Sequence, residues 1–379
     1  MISSLGRISG RGLLLGLFLE CADSGKCLDV SDRNKSNGAA LHQWDCLHTD
    51  NQQFKFVQND NYYQIETFSP GKCINIKDWK RNDGARLQQW ECSGGVNQRF
   101  LAIPDLPDPL PKPQVIIFEN VIGHKNLEKL KTTLKRWDWD FEVIGQGMKY
   151  EGFGTKFVEY EKHLKKLEKQ KIVVLIDSRD IFANGSPEQF IGDYLRLSYW
   201  NGKHRIVMST EKACCVRPME LHKPGDFVQD GSRKARAVEV GNGNFSDEWT
   251  SAMKSLKKRE GYDGNKLQFN NLNSGMITGY VEDLLKMFEY LQTEVQEDDQ
   301  ALATEYMLKF PDRILLDYNN LLFTNAHAWG DFSGLGGCFF TWLKKANRFE
   351  NKESLTRPFF IQTPAKYWTC YDHLYKLLK

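Results

Sequence analysis

A repeat with two equally spaced cysteine pairs most restricts the folds open to this 379-residue chain. The first copy reads KCLDVSDRNKSNGAALHQWDC and then DNQQFKF, and the second reads KCINIKDWKRNDGARLQQWEC and then VNQRFLA. The separation is 19 residues in both Cys27–Cys46 and Cys73–Cys92, which predicts a disulfide within each copy. Disulfides are typical of secreted or lumenal proteins, and reduced thiols in a cytosolic protein are the alternative. The remaining cysteines show no spacing logic: Cys21, Cys214, Cys215, Cys338 and Cys370.

Turn signals such as DSGK and SPGK separate short alternating runs through residues 17–103, which predicts a small all-β domain. With HQW at 42–44 and QQW at 88–90, the copies resemble ricin B-type β-trefoil lectins. The resemblance implies that a repeat holds a sugar with an acid after its first cysteine, an aromatic ring and an Asn-Gln pair. The implied glycan-binding residues are Asp29, Trp44, Asn51 and Gln52 in the first copy, and Asn75, Trp90, Asn97 and Gln98 in the second.

These residue types suit a pyranose, because carboxylate and amide groups bind its hydroxyls while a ring stacks on its C–H face. The alternative is that the tryptophans belong mainly to the core. Asn75 stands where the family prefers aspartate, which weakens the expectation of a second sugar site. A β-trefoil has three repeats and two are visible, so we expect an incomplete, trefoil-like domain.

The segment PDLPDPLPKP at 104–113 predicts an extended linker, because proline fixes φ and lacks an amide hydrogen. The expected domains are therefore 1–103, carrying the lectin-like repeats, and 114–379. A formal net charge of +2 indicates no nucleic-acid partner. No apolar run approaches the roughly 20 residues of a transmembrane span. Residues 1–18 are ambiguous as a signal peptide, and we expect Leu13–Phe18 to begin the first repeat.

After the linker, apolar runs alternate with amphipathic segments. The runs QVIIF, FEVIG, IVVLI and HRIVMST predict strands, and residues 124–137, 155–171 and 186–197 predict helices. This alternation predicts an α/β domain with a mostly parallel sheet covered by helices on both faces. Residues 211–268 show little hydrophobic periodicity and predict a long loop. We expect this loop to lie over the side of the domain where a second, acceptor substrate would bind.

Two carboxylates three residues apart, Asp177 and Asp180, follow the apolar run at 172–176. Open α/β sheets bind ligands beyond the carboxyl ends of their parallel strands. A pair of acids there is suited to a hard divalent cation such as Mn²⁺ or Mg²⁺ that binds a diphosphate. The alternative is one helix-capping aspartate and one surface aspartate.

The stretch NLNSGMITGYVEDLLKMFEYL predicts a polar turn, a short strand and a helix. Farther along, QEDDQALATEYML places Glu297, Asp298 and Asp299 at the start of another helix. Acids at a helix N-terminus are favoured by the helix dipole alone. The functional interpretation is that one of them faces an acceptor hydroxyl.

The motifs IDSRDIFANGSPEQF, LNSGMITGY, DDQALATEYM and GFGTKFVEY together resemble the glycosyltransferase domain of procollagen lysyl hydroxylases and related collagen glycosyltransferases, over about residues 114–370. The resemblance implies a GT-A fold, a UDP-sugar donor and Mn²⁺. It places the metal on Asp177 and Asp180, and sugar transfer beside Asp298 and Asp299. The implied donor-binding residues are Lys156, Ser178, Asn273, Ser274 and Gly275.

One position departs from that family. Gln362 stands where the family has a histidine metal ligand, and the surrounding segment, RPFFIQTPAKYW, is shorter. A glutamine carbonyl can bind a hard cation, but without charge and less tightly than imidazole binds Mn²⁺. Lys366 is expected to reach the diphosphate. His373 is an alternative candidate for that ligand.

The sequence therefore predicts a metal-dependent glycosyltransferase that moves a hexose from a UDP-sugar to a hydroxyl of a protein or glycan acceptor, with collagen-like hydroxylysine as one candidate. The lectin-like repeats would bind glycan. The alternative is a non-catalytic carbohydrate-binding protein with a degenerate transferase fold. We expect the secretory pathway lumen or secretion, and the Asn-x-Ser triplets at Asn34, Asn184 and Asn244 are compatible with it.

Overall fold

The computed structural model describes residues 14–20, 24–59, 62–80, 84–100, 106–200, 202–211, 247–260, 262, 269–326, 338, 340–363 and 368–378. The chain forms two compact units, Met1–Asp105 and Leu106–Lys379. The boundary falls inside the proline-rich segment, whose rings lack the amide hydrogen that sheet pairing needs. No helix among the described residues has both the length and the apolar character that crossing a membrane requires.

The first unit is all-β. Its strands are β1 (Leu14–Phe18), β2 (Cys27–Val30), β3 (Leu41–Trp44), β4 (Gln53–Asn59), β5 (Tyr62–Glu66), β6 (Lys72–Ile76) and β7 (Leu87–Glu91). An antiparallel sheet has the order β1-β4-β5-β6-β7, and β2 pairs separately with β3. The core between them consists of apolar side chains from both repeats: Leu19, Val30, Ala39, Phe54, Phe56, Ile65 and Ile74.

The sequence repeat is also a structural repeat. Cys27 lies opposite Trp44 in the β2–β3 pair, and Cys73 lies opposite Trp90 in the β6–β7 pair, so the two registers are equivalent. Both predicted disulfides, Cys27–Cys46 and Cys73–Cys92, are present. Each tethers the first strand of its copy to the loop after the second strand. The described residues contain two copies of this unit.

The second unit combines helices and strands. Its strands are β8 (Gln114–Phe118), β9 (Asp140–Ile144), β10 (Ile172–Asp177), β11 (Ile181–Ala183), β12 (Tyr199–Trp200), β13 (Lys203–His204), β14 (Ile206–Glu211), β15 (Asn271–Tyr280), β16 (Ile314–Leu316), β17 (Phe323–Asn325), β18 (Phe340–Leu343), β19 (Arg348–Asn351) and β20 (Phe360–Gln362). Its helices are α1 (Lys125–Arg136), α2 (Thr155–Leu164), α3 (Pro187–Ser198), α4 (Asp247–Arg259), α5 (Val281–Leu291), α6 (Asp299–Lys309) and α7 (Trp368–Leu378).

The main sheet has six strands in the order β16-β14-β15-β10-β8-β9. Five run in one direction, and β15 is antiparallel to its neighbours β10 and β14. The expected mostly parallel, mixed α/β architecture is therefore present. A smaller sheet, β11-β20-β17, adjoins the carboxyl end of β10 and brings β20 beside it.

Side chains of the central strands alternate between the two faces of the main sheet, and helices cover both faces. In β10, Val173 and Leu175 pack against α2, α5 and α6, whereas Val174 and Ile176 pack against α1 and α3. Each of these residues is at most 1% exposed, as expected for a strand covered on both faces. The described part of the proline-rich segment joins the second face, where Leu106 and Leu110 pack.

Three local predictions differ from the structure. The expected polar turn at 271–274 is the start of β15, because Asn273 finds buried partners there, including the Ser209 hydroxyl at 3.0 Å. Part of the expected loop at 211–268 is helix α4, which packs Met253 into the core, and residues 212–246 lie outside the described part. Helix α2 ends at Leu164, short of the expected 171.

A third disulfide, Cys338–Cys370, was not predicted, and it links residues beside β18 to helix α7. Cys21, Cys214 and Cys215 lie outside the described residues. The three disulfides fit a secreted or lumenal protein.

Asn184, after β11, is fully buried. Its Nδ2 donates to the backbone carbonyls of Phe349 and Pro358 at 3.0 and 2.7 Å, and its Oδ1 accepts from the Phe349 amide at 2.7 Å. This side chain joins three segments of the second unit. Asn34 is exposed, and Asn244 lies outside the described residues.

Candidate active site

The two predicted acids lie at the carboxyl edge of the main sheet. Asp177 is the last residue of β10, and Asp180 lies in the turn between β10 and β11. Because β11 pairs with β20, Gln362 lies beside Asp180. Its Nε2 atom is 3.4 and 3.3 Å from the two carboxylate oxygens of Asp180. The sequence thus predicted three residues that the fold brings together from two separate segments.

A buried lysine joins two of the predicted acids. Lys156, near the start of α2, lies with its Nζ 2.9 Å from Asp177 Oδ1 and 2.7 Å from Asp299 Oδ2. The Ser274 hydroxyl donates to the same Asp299 oxygen at 2.7 Å. The side chains of Lys156 and Asp299 are only 12% and 6% exposed. Residues from α2, β10, β15 and α6 therefore form one polar cluster.

The backbone of Gly275 passes close to the Gln362 amide. A Cβ atom on Gly275 would lie 2.7 Å from both amide atoms of Gln362, a distance that real Cβ atoms essentially never show. Glycine at this position therefore leaves room for the amide beside Asp180. The Oε1 atom of Gln362 is buried and has no hydrogen-bond partner among the described residues.

Burial and like charge shift several pKa values at this edge. Burial and the nearby Asp177 carboxylate raise the pKa of Asp180 to about 7. Burial also raises the pKa of Asp177, although the Lys156 ammonium lowers it. Burial and Asp299 raise the pKa of Asp298 to about 6. Burial lowers the pKa of Lys156, but Asp177 and Asp299 outweigh it and hold that pKa well above its ordinary value.

The two predicted catalytic acids have different positions. Asp298 is the N-cap of α6, and its Oδ1 accepts from the backbone amides of Gln300 and Ala301 at 3.0 and 2.9 Å. Its neighbour Asp299 points into the cluster with Lys156. The helix-dipole alternative therefore describes Asp298, whereas Asp299 lies against Lys156.

Two predicted donor-binding residues are occupied by internal contacts. The Ser178 hydroxyl donates to Glu119 at 2.8 Å, and the Asn273 amide contacts Glu211 at 3.2 Å. Both side chains are largely buried. Each of them therefore contacts a buried glutamate beside the site. Lys366 lies outside the described residues.

Sequence reasoning missed two residues at this edge. Glu119 follows β8 and is buried, and it accepts from the Arg179 guanidinium at 2.7 and 3.0 Å. Its signal was available, since an acid follows an apolar strand there as it does at β10. Tyr150 is 45% exposed, and the charges of Asp299, Lys156 and Asp177 act on its hydroxyl. No periodicity marks Tyr150, because it lies in a loop.

Three side chains at this edge offer oxygen atoms that could bind a hard cation. Asp177, Asp180 and Gln362 offer carboxylate and amide oxygens, which are the ligands that Mg²⁺ and Mn²⁺ accept. The unpaired, buried Oε1 of Gln362 is an acceptor available to such an ion. Among the described residues, no group of three or more His, Cys, Asp or Glu side chains is arranged to hold a metal ion.

In the first unit, the residues implied for the first repeat meet in one cluster. The buried Asp29 carboxylate accepts from Asn51 Nδ2 and Gln52 Nε2, both at 2.9 Å, and contacts His42 Nε2 at 3.2 Å. The Trp44 ring stacks beside His42 with a centroid distance of 5.5 Å and is 54% exposed. The buried acid and the exposed ring therefore both contact His42.

The second repeat has the same arrangement of residues but lacks the central carboxylate. Asn75 Oδ1 accepts from Gln88 Nε2 at 3.1 Å, and Trp90 is 42% exposed. Asn97 donates to the Ile76 carbonyl at 3.2 Å, and Gln98 donates to the Glu91 carbonyl at 2.6 Å. An amide therefore replaces the carboxylate at the centre of this copy.

Comparison with known families decides the nature of the first unit. The family described as ricin-type beta-trefoil lectin domain-like matches residues 16–90 and 50–106. The N-terminal region is a ricin B-type lectin domain. This lectin domain indicates a carbohydrate ligand. No curated protein sequence matches the chain.

Several solved structures are similar to parts of the chain. A designed 3-fold symmetric protein, ThreeFoil, is 33% identical over 24% of this chain, at a TM-score of 0.23. An exo-beta-1,3-galactanase, 1,3Gal43A from Clostridium thermocellum, is 35% identical over 25% of it, at a TM-score of 0.22. The matches span 64% and 21% of those two proteins. A glycosyltransferase involved in the glycosylation of the major capsid of PBCV-1 is 10% identical, with 70% of this chain and 98% of that chain covered, at a TM-score of 0.36.

Proposed function

We propose that the second unit is a GT-A-type glycosyltransferase that moves a hexose from a UDP-sugar to a hydroxyl of a protein or glycan acceptor, while the lectin domain binds glycan. The observation that carries the proposal is the polar cluster of Lys156, Asp177, Asp180 and Asp299 at the carboxyl edge of the parallel strands. Carboxylates outnumber cations in this cluster, so it favours a cationic partner. A collagen-like acceptor remains part of the proposal on the sequence resemblance alone.

Asp177, Asp180 and Gln362 would hold Mn²⁺ or Mg²⁺. A bound divalent cation would stabilise the negative charge of a leaving nucleoside diphosphate. Since both acids already lie within reach of other polar groups, Lys156 and Gln362 keep them oriented before a cation arrives. Preorganised charge of this kind needs little rearrangement during the reaction.

The chain's own residues would perform the remaining steps. Lys156 would contact the donor phosphates, because its ammonium lies between the metal-site acid Asp177 and the transfer-site acid Asp299. Asp299, held by Lys156 and Ser274, would either accept the proton of the acceptor hydroxyl or stabilise positive charge on the sugar. The exposed ring of Tyr150 would cover the donor from the rim.

The lectin domain would raise the local concentration of a glycosylated acceptor. The first repeat is the better candidate for glycan binding, because its Asp29 carboxylate accepts stronger hydrogen bonds than the Asn75 amide. Binding to a glycan array that is lost in Trp44→Ala and retained in Trp90→Ala would support this assignment. Equal loss in both variants would contradict it.

The transferase proposal is tested by incubating the full chain with Mn²⁺ and a panel of UDP-sugars and measuring UDP release. We expect release with at least one donor and its loss in Asp177→Asn. Asp140→Asn is the matched control, since Asp140 is an exposed aspartate at the start of β9, on the opposite edge of the sheet. Asp299→Asn should lose turnover while retaining UDP binding.

The alternative function is a carbohydrate-binding protein whose transferase fold is not catalytic. The observation that favours it is the neutral Gln362 at the third ligand position, together with the ion pair that Lys156 makes with Asp177 at 2.9 Å. Absence of UDP release with every donor, alongside glycan binding that depends on Trp44, would establish this alternative and refute the transferase proposal.

A further inference from the structure

A cavity of about 540 Å³ lies at the amino edge of the main sheet. Its lining includes Ile206, which begins β14, the start of α5 and the end of α6. Helix α6 begins at Asp299 in the candidate active site and ends at Lys309 in this cavity. With a rise of 1.5 Å per residue, about 15 Å of helix separates them. The cavity is therefore distinct from the proposed transfer site.

Positive charge dominates the lining. Its two carboxylates are matched, since Asp283 pairs with Lys286 at 3.0 Å and Asp312 pairs with Arg259 at 3.1 Å. Three further lining cations, Lys203, Lys309 and Arg313, have no carboxylate within ion-pair distance among the described residues. All three are exposed; Lys203 begins β13, whereas Lys309 ends α6 and Arg313 lies four residues after it.

Aromatic rings form much of the wall. The Phe310 ring lies 4.9 Å from the Tyr306 ring, and the Arg313 guanidinium lies 4.6 Å from its centroid. Trp200 has the Arg205 and Arg259 guanidinium groups over its ring, at 4.6 and 5.7 Å. These contacts fix the rings before any ligand arrives. The indole N–H of Trp200 also lacks an acceptor among the described residues, which leaves one donor unsatisfied in the wall.

We propose that this cavity binds an acidic saccharide, meaning a sugar chain that carries sulfate or carboxylate groups. Separate cations around the rim suit anionic groups repeated along a chain, whereas a single small anion would need only one of them. The partly exposed rings of Trp200 and Phe310 in the lining suit the C–H faces of pyranoses. The volume lies within the range of typical small-ligand pockets. The proposal does not depend on the transferase activity.

The test is isothermal titration calorimetry of the full chain with a chondroitin sulfate tetrasaccharide. We expect Lys203→Ala/Lys309→Ala to weaken binding about tenfold, as the loss of two exposed charge contacts predicts. Lys344→Ala/Lys345→Ala is the matched control, because it removes the same charge from the turn between β18 and β19. Any saccharide bound by the lectin domain contributes equally to all three proteins.

Two further titrations separate the sources of binding. A desulfated, carboxyl-reduced tetrasaccharide should lose the binding that depends on Lys203 and Lys309, and sodium sulfate alone should bind far more weakly than the tetrasaccharide. Sulfate that binds as tightly as the tetrasaccharide would overturn the saccharide assignment. The same loss in the control variant, or no binding by the wild-type chain, would overturn the site. UDP release from a free donor should stay unchanged in Lys203→Ala/Lys309→Ala.

Discussion

Replacing Lys156 by methionine removes the cation that lies between Asp177 and Asp299 and preserves most of the side-chain volume. Breaking a buried ion pair by removing one partner typically costs about 3–5 kcal/mol, since a charge is left without compensation. Asp177 is partly exposed, and its side chain retains 34% accessibility, so we expect the lower end, about 3 kcal/mol. For a unit of this size, that loss corresponds to a fall in Tm of roughly 6–12 °C.

The matched control is Lys162→Met on the same helix. Lys162 pairs with Glu159 at 2.6 Å, but its side chain is 62% exposed. Exposed pairs of this kind contribute about 0.3–0.5 kcal/mol. The buried and exposed lysines of α2 should therefore differ several-fold in their effect on the free energy of unfolding.

The assay is urea denaturation of both variants and the wild type, followed by circular dichroism at pH 8 and pH 5. The loss in Lys156→Met should be smaller at pH 5, because protonation removes the unpaired carboxylate charge. Added Mn²⁺ should restore part of the stability at pH 8. A loss no larger than that of Lys162→Met would refute the electrostatic reasoning behind the site.

Three other changes test separate features of the structure. Gly275→Ala should cost about 1–3 kcal/mol in urea denaturation and weaken Mn²⁺ binding, because its Cβ would collide with the Gln362 amide; unchanged Mn²⁺ affinity would contradict the role of Gln362. Burial raises the pKa of Asp317 to about 6, so its contribution to stability is present below about pH 4 and is lost as pH rises through 6. Asp317→Asn should flatten the stability profile between pH 4 and 6 by on the order of 3 kcal/mol, and an unchanged profile would show that Asp317 does not titrate there. Replacing Cys73 and Cys92 by serine removes their disulfide and should destabilise the lectin domain by about 3 kcal/mol in thermal unfolding. An unchanged stability would show that the disulfide does not restrict the unfolded state of this domain.

The parts of the site that the sequence predicted are those that follow from strand ends. Asp177 ends a buried strand, and the carboxyl edge of a parallel sheet is shared by its strands, so a cluster there was predictable. Lys156 and Gln362 came from the resemblance of their segments to a known family. The disulfides in the repeats followed from a spacing that occurs twice.

The parts that the sequence did not predict depend on orientation or on distant pairing. Asp298 and Asp299 are adjacent acids. The residue at which α6 begins decides which of them caps the helix and which contacts Lys156, and the sequence alone does not fix that residue. The first residues of the antiparallel strand β15 are polar, which predicted a turn. They can be buried in a strand because neighbours such as Ser209 form hydrogen bonds with them. The Cys338–Cys370 pair has no repeat to reveal it.

The burial of Asn184 has a consequence for biosynthesis. Asn184, Gly185 and Ser186 form an acceptor triplet for N-glycosylation. The segments that enclose the asparagine are complete only when Phe349 and Pro358 have been made, 165 and 174 residues later. A ribosome feeding this chain into a compartment with oligosaccharyl transferase would present the open triplet long before its enclosing partners emerge. An oligosaccharide attached then would occupy the place of the Phe349 and Pro358 carbonyls, so heterologous production in a host lacking this modification should yield more correctly folded material.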